Sequence, residues 1–193
     1  MNRKVAQIVA FIALLLVAGA SRLIPHLWNV TAVGAVSLLG GAYFGRKAWA
    51  LIIPVAAVWM SDIVLNNTLY ASYYAGWSWM TSGFVWIVLG IIATMIVGRL
   101  LLKTSKSYGR LFLASVVGAV MFYLLTNLGA WMTGVMYPKS IGGLVACYVA
   151  GLPFLLNSLL GNLVFCAVLF PVYQWYATKY GLHQTELSVE IAG

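Results

Sequence analysis

Long apolar runs separated by short polar or basic connections dominate this chain. They lie at about residues 5–24, 30–45, 48–66, 79–102, 111–136 and 152–178. Each is close to the ~20 residues that a helix needs to cross ~30 Å of hydrocarbon. The pattern predicts an all-α membrane protein, one domain over residues 1–193 with six transmembrane helices. The first run, with Arg3 and Lys4 before it, has the outline of a signal peptide. Its apolar part is longer than an h-region and Arg22 follows at once, so it is read as a retained helix.

The basic residues give the predicted orientation. With alternate connections on alternate sides, Arg3, Lys4, Arg46, Lys47, Arg99, Lys103, Lys106, Arg110 and Lys179 share one face, while Arg22 and Lys139 share the other. Cytoplasmic loops carry the Lys/Arg excess, so both termini are expected inside, in a multi-pass protein of the bacterial cytoplasmic (inner) membrane.

Composition agrees with that class and removes others. At 63% hydrophobic and 7% charged residues over 193 positions, too little polar surface exists to coat a soluble core. The net charge of +8 sits at the ends of apolar runs, as topology signals do, rather than in a nucleic-acid-binding patch. There is no GxxxxGK[ST] phosphate loop and no HExxH. Cys147 and Cys166 lack CxxC spacing and the chain has only two His, so no metal framework is indicated and both are expected to be small buried residues. No paired carboxylates or Ser/His pair support acid-base or nucleophilic chemistry, so the chain is not expected to be an enzyme.

Polar side chains within spans are expensive and face cavities or other helices. Helix 3 runs outward and carries Ser61, Asp62, Asn66 and Asn67 at its outer end; Thr126 and Asn127 lie beyond the midpoint of helix 5, and Asn157 and Asn162 in the outer half of helix 6. These clusters predict a polar pocket open to the outside. Asp62 is the only acidic residue before Glu186, and it lies in the last turn of its helix, where the macrodipole disfavours an anion. Arg22 is its expected partner, ahead of Lys139. Such a pair either staples two helix ends or shapes the pocket floor.

The outer connections are aromatic: Trp28, then Tyr70, Tyr73, Tyr74, Trp77 and Trp79, then Tyr137. An interfacial belt accounts for such residues, and so does a lid over the pocket, hinged at Gly76 and Gly83. Pro25 places His26 on a fixed outer loop near the pocket. Pro54, Pro153 and Pro171 fall within or at the edge of spans. Ala6-x-x-x-Ala10 gives helix 1 a small-residue face of the kind that lets helices approach closely, on the half where a partner membrane protein would dock.

Arg22-Leu-Ile-Pro-His, Asn29-Val-Thr-Ala-Val-Gly-Ala, Gly40-Gly-Ala-Tyr-Phe, Ser61-Asp62, Thr126-Asn127, Tyr137-Pro-Lys and Asn157-Ser-Leu-Leu-Gly-Asn162, in a chain of this topology, resemble the substrate-binding S-components of energy-coupling factor (ECF) vitamin transporters. The resemblance covers nearly the whole chain. It implies a six-helix bundle that binds a vitamin-like small molecule from outside, beneath the loops joining helices 1–2, 3–4 and 5–6. Arg22, His26, Asp62, Trp77, Met80, Asn127, Asn157 and Asn162 would line or cover the site. It also implies that Ala6 and Ala10 dock a transmembrane coupling protein driven by ATPases. Within that set the chain is similar to the solitary BtuM-type cobalamin transporters, which makes a corrinoid the leading candidate as transported ligand, with no resident cofactor. Those transporters ligate cobalt through a cysteine near the start of helix 4. Here that region reads Trp77-Ser-Trp-Met80-Thr-Ser, leaving Met80 or His26 as a weak axial ligand, or a different ligand altogether. A membrane scaffold subunit without a small-molecule ligand is the competing expectation.

Overall fold

The computed structural model describes residues 1–24, 29–45, 47–104 and 107–182. His26 and Trp28 lie outside the described residues. Among the described residues the fold consists of α1 (Arg3–Leu23), α2 (Val33–Tyr43), α3 (Trp49–Asn67), a short 3-10 turn (Ala71–Tyr73), α4 (Phe84–Leu102), α5 (Tyr108–Thr133) and α6 (Ile141–Lys179). Five of these helices, all except α2, are long and apolar enough to cross a membrane. This is a multi-pass membrane protein.

The expected six full-length spans need correction at α2. That helix has 11 residues and rises about 16 Å, roughly half the hydrocarbon thickness. The apolar run 30–45 is shortened at both ends by backbone. Asn29 adopts φ 66°, a left-handed conformation that Asn tolerates, and Gly45 adopts φ 60° just past the Phe44 C-cap. What α2 lacks in length it has in burial: nine of its 11 residues are buried, so it forms the axis around which the longer helices pack.

Two other boundaries shift. Helix 4 begins at Phe84 rather than 79, after Gly83 at φ 78°, so Trp79 and Met80 precede it. Helix 6 begins at Ile141 rather than 152, capped by Ser140, whose side chain accepts from the Gly143 N–H. Its 39 residues extend about 58 Å, with Pro153 and Pro171 inside it. Pro54 is likewise inside α3.

Contacts along the helices fix their directions. Phe11 meets Trp49 (ring centroids 5.8 Å) and Arg22 meets Ser61 and Asp62, so α1 and α3 run parallel. Ser21 meets Ala32 while Phe11 meets Phe44, so α2 returns between them. Thr94 contacts Gly118 and Asn162 contacts Ser115, and with Trp86 against Gly129 and Cys147 against Asn127 these make α4, α5 and α6 successively antiparallel. Arg22 and Lys139 therefore lie at one end of the bundle, and Arg3, Lys4, Lys47, Arg99, Lys103, Arg110 and Lys179 at the other.

Close approach is set by glycines. A Cβ on Gly41 would lie 2.0 Å from the Met95 carbonyl oxygen, and one on Gly98 would lie 2.2 Å from that of Leu38. The α2 and α4 backbones are thus in contact, a packing mode suited to lipid, where no hydrophobic force drives helices together.

Candidate functional site

The ion pair expected from the scarcity of charge is formed. Asp62, 2% exposed, accepts from Arg22 Nη2 through Oδ1 and from Thr81 Oγ1 at 2.6 Å through Oδ2. Arg22 Nε donates to Ser61 Oγ at 2.7 Å. An anion at a helix C-terminus is unfavourable alone; here it is held by a cation from α1 and a hydroxyl from the segment before α4. Asn66 Nδ2 also reaches Thr81 Oγ1, at 3.0 Å. Asn67 holds Ser78 from both sides, Nδ2 to its carbonyl at 2.7 Å and Oδ1 from its N–H at 2.8 Å. The polar C-terminal end of α3 is therefore a clamp that fixes the α3–α4 connection. Lys139 is engaged elsewhere: its Nζ donates to the carbonyls of Trp131 and Gly134 at the end of α5 and sits 5.7 Å from the Trp131 ring centroid.

Behind Arg22 lies a cavity of about 50 Å³ to which all six helices contribute. Arg22 comes from α1, Val33 and Gly34 from the start of α2, Val58 from α3, Thr94 from α4, Gly118, Ala119 and Phe122 from α5, and Ser158 and Asn162 from α6; Asn29 and Thr31 complete it before α2. Thr94 is ten residues into α4, about 15 Å along the axis, so the cavity reaches well into the bundle. Gly34 and Gly118 let the lining close in: Asn162 packs on Gly34, where a Cβ would lie 2.0 Å from its Oδ1, and a Cβ on Gly118 would lie 3.1 Å from the Thr94 methyl.

Hydroxyls inside apolar helices ordinarily donate to a carbonyl one turn back. Ser21, Ser37, Ser61, Thr94, Ser115, Thr126, Thr133 and Thr178 all do so. Ser158 is the exception among the α-helical Ser and Thr described, and it faces the cavity. Thr31 likewise makes no side-chain hydrogen bond among the described residues. Asn162, 4% exposed, donates through Nδ2 to the Ser115 carbonyl at 3.2 Å, while its Oδ1 has no donor among them. The α2 N-terminus, with Ala32 at the N-cap, carries no side-chain cap, leaving first-turn N–H groups beside Gly34.

Of the residues expected at the site, Arg22 and Asn162 line this cavity, and Asp62 supports it through Arg22. Asn127 does not: it packs on Gly151 and donates to the Tyr123 carbonyl at 2.9 Å, joining α5 to α6. Asn157 is half-buried and also outside the lining. Trp77 and Met80 are 64% and 51% exposed. Trp77 stacks edge-on with Trp79 (centroids 5.7 Å), and Trp79 is tied through its carbonyl to Trp59 Nε1. Among the described residues that line the cavity there are none of the aromatics of residues 70–79 and no Tyr137, and Trp28 lies outside the described residues. Ala6 and Ala10, expected to dock a partner, are 0% and 7% exposed. They turn toward the chain's own helices, with the Tyr176 hydroxyl donating to the Ala6 carbonyl at 3.0 Å, and Ala10 also lines an apolar groove between α1 and α6 with Val9, Ala13, Val17, Leu169 and Val172.

Sequence reasoning missed Ser158, Thr31, Thr94 and Asn29. Ser158 was within reach, because it is one turn before Asn162 on the same face of α6. Among the described residues no three His, Cys, Asp or Glu side chains cluster for a metal, and Cys147 and Cys166 are both free and buried.

A family model described as "Family of unknown function (DUF6580)" matches residues 2–186, and the chain belongs to that family. No curated protein and no solved structure matches it.

Proposed function

We propose that this member of the DUF6580 family is a substrate-binding membrane transport protein that takes up a small, vitamin-like polar molecule through the end of the bundle bearing Arg22. The observation that carries the reading is the set of uncommitted polar groups, Ser158, Thr31 and Asn162 Oδ1, around a cavity shared by all six helices. Polar groups left open within a membrane bundle are costly unless something binds them. The excess of cations at the opposite end supports cytoplasmic termini and a cavity facing outward, in a bacterial inner membrane.

The cavity is several-fold smaller than the roughly 300–1,000 Å³ that encloses a drug-sized ligand. A corrinoid, larger still, enters only if helices or connections move apart. Cobalamin is therefore one candidate of a class, and its entry requires the cavity to widen. Ala10 lines the apolar groove between α1 and α6, which leaves that part of α1 open to an ECF-type coupling protein; the alternative is a protein that works alone.

A second reading has specific support: Asn127 and Asn162 each press a side-chain amide against a glycine of a neighbouring helix, as interhelical adhesive in a scaffold subunit would. Native mass spectrometry of protein extracted gently from its own membranes separates the two. Uptake predicts a vitamin-sized mass at near-unit ratio, diminished by Ser158→Ala. An empty chain held with other subunits in fixed stoichiometry would favour the scaffold.

A further inference from the structure

We infer that the molecule recognised in this cavity is a small carboxylate that also presents a hydroxyl or amide N–H, an assignment that rests on the uptake reading above. Among the described residues the lining contains one cation, Arg22, and no acidic residue. Asp62 takes Nη2 and Ser61 takes Nε, while Nη1 has no partner among the described residues. A guanidinium held in this way keeps a planar edge for a carboxylate, and its own orientation is already fixed. Ser158 and Thr31 add uncommitted hydroxyls, and the uncapped first turn of α2 adds N–H groups with the positive end of a helix dipole.

The second half of the assignment comes from Asn162. Its side chain is nearly fully buried, and its orientation is set by the Nδ2 hydrogen bond to Ser115, which leaves Oδ1 as an acceptor with no donor. An anion with no O–H or N–H, such as chloride or sulfate, leaves that acceptor unsatisfied, whereas a hydroxy- or amido-acid completes it. The volume, about 50 Å³, holds a few water-sized groups. That suits the polar head of such an acid, with any remaining part directed toward the opening.

Equilibrium binding of labelled glycolate and of its neutral counterpart glycolamide to the full-length protein in nanodiscs tests this. A charge-assisted contact exceeds a neutral one by roughly a factor of two in energy, so glycolate should bind about tenfold tighter than glycolamide. In the double variant R22Q/D62N, which leaves no unpaired buried charge, that preference should vanish while glycolamide binding persists. Ser158→Ala should weaken both probes. Equal binding of the two probes, or a preference for glycolamide, overturns the carboxylate assignment and leaves the uptake reading standing. Absence of binding by both overturns the assignment as well, and the uptake reading is then judged by its own mass-spectrometric test.

Discussion

Removing Arg22 while leaving Asp62 in place is the sharpest perturbation of this bundle. The Asp62 side chain is 3% exposed and that of Arg22 is 23% exposed, so Arg22→Ala strands a carboxylate whose remaining partner is Thr81, at 2.6 Å. Breaking a buried pair by deleting one member costs about 3–5 kcal/mol. Water reaches the Arg22 side, which puts the expected loss near the lower end, about 3 kcal/mol, or more than a hundredfold in the folding equilibrium. R22Q/D62N removes both charges and retains amides that hydrogen-bond to each other, to Ser61 and to Thr81; it should cost only about 0–1 kcal/mol relative to the native chain. With Arg22→Gln and Asp62→Asn as the single variants, the cycle closes on R22Q/D62N and gives a coupling of about 2 kcal/mol between the two positions. Reversible unfolding in one fixed detergent mixture measures these proteins and Arg22→Ala beside them. If Arg22→Ala lies within about 0.5 kcal/mol of the native protein, or the double variant is as damaged as the sum of its parts, the pair is a solvated surface contact and the reasoning fails.

Other outcomes follow from the same packing. Gly98→Ala drives a methyl group into the Leu38 carbonyl at 2.2 Å; backbone cannot retract as a side chain can, so a loss of at least about 1–3 kcal/mol is expected in the same unfolding assay. Ser158→Ala should change stability by less than about 0.5 kcal/mol, since the hydroxyl supports nothing in the bundle, which separates its effect on binding from any effect on folding. Asn67→Ala deletes the hydrogen bonds to Ser78 and to the Ile63 carbonyl, about 2 kcal/mol in total. Limited proteolysis should then cut between Thr68 and Gly83 faster than in the native protein.

What could be read in the sequence is what depends on scarcity. With one acidic residue before Glu186 and two cations at its end of the bundle, the Arg22–Asp62 pair followed from helix direction alone. The apolar runs likewise marked where helices would form. Helix lengths were less legible, because hydropathy does not report backbone geometry. The run 30–45 is apolar enough for a span, but Asn29 and Gly45 take positive φ and leave 11 helical residues. The last apolar run reads from 152, which leaves 141–151, with Gly142, Gly143 and Gly151, outside the helix. Those glycines instead allow contact, with Gly143 against the Pro138 carbonyl and Gly151 against Asn127, and they continue α6. The site itself was half visible. Arg22 and Asn162 stood out as polar groups in apolar helices. Asn127 stood out equally and turned out to join α5 to α6. Whether a hydroxyl such as Ser158 is satisfied by its own helix or left open to a cavity is decided by rotamer and neighbours, which no single-sequence pattern records.

If this protein takes up its ligand, the cavity behind Arg22 is reached from the outside. Ser158→Cys, labelled in sealed, right-side-out vesicles with a membrane-impermeant maleimide, tests it most directly, because the native Cys147 and Cys166 are 2% and 1% exposed and give little background. Labelling of the introduced thiol from outside, slowed when a bound solute occupies the cavity, is the predicted result. A thiol that stays unreactive from both faces until the protein is denatured would show that the polar groups only bridge helices, and would contradict the account.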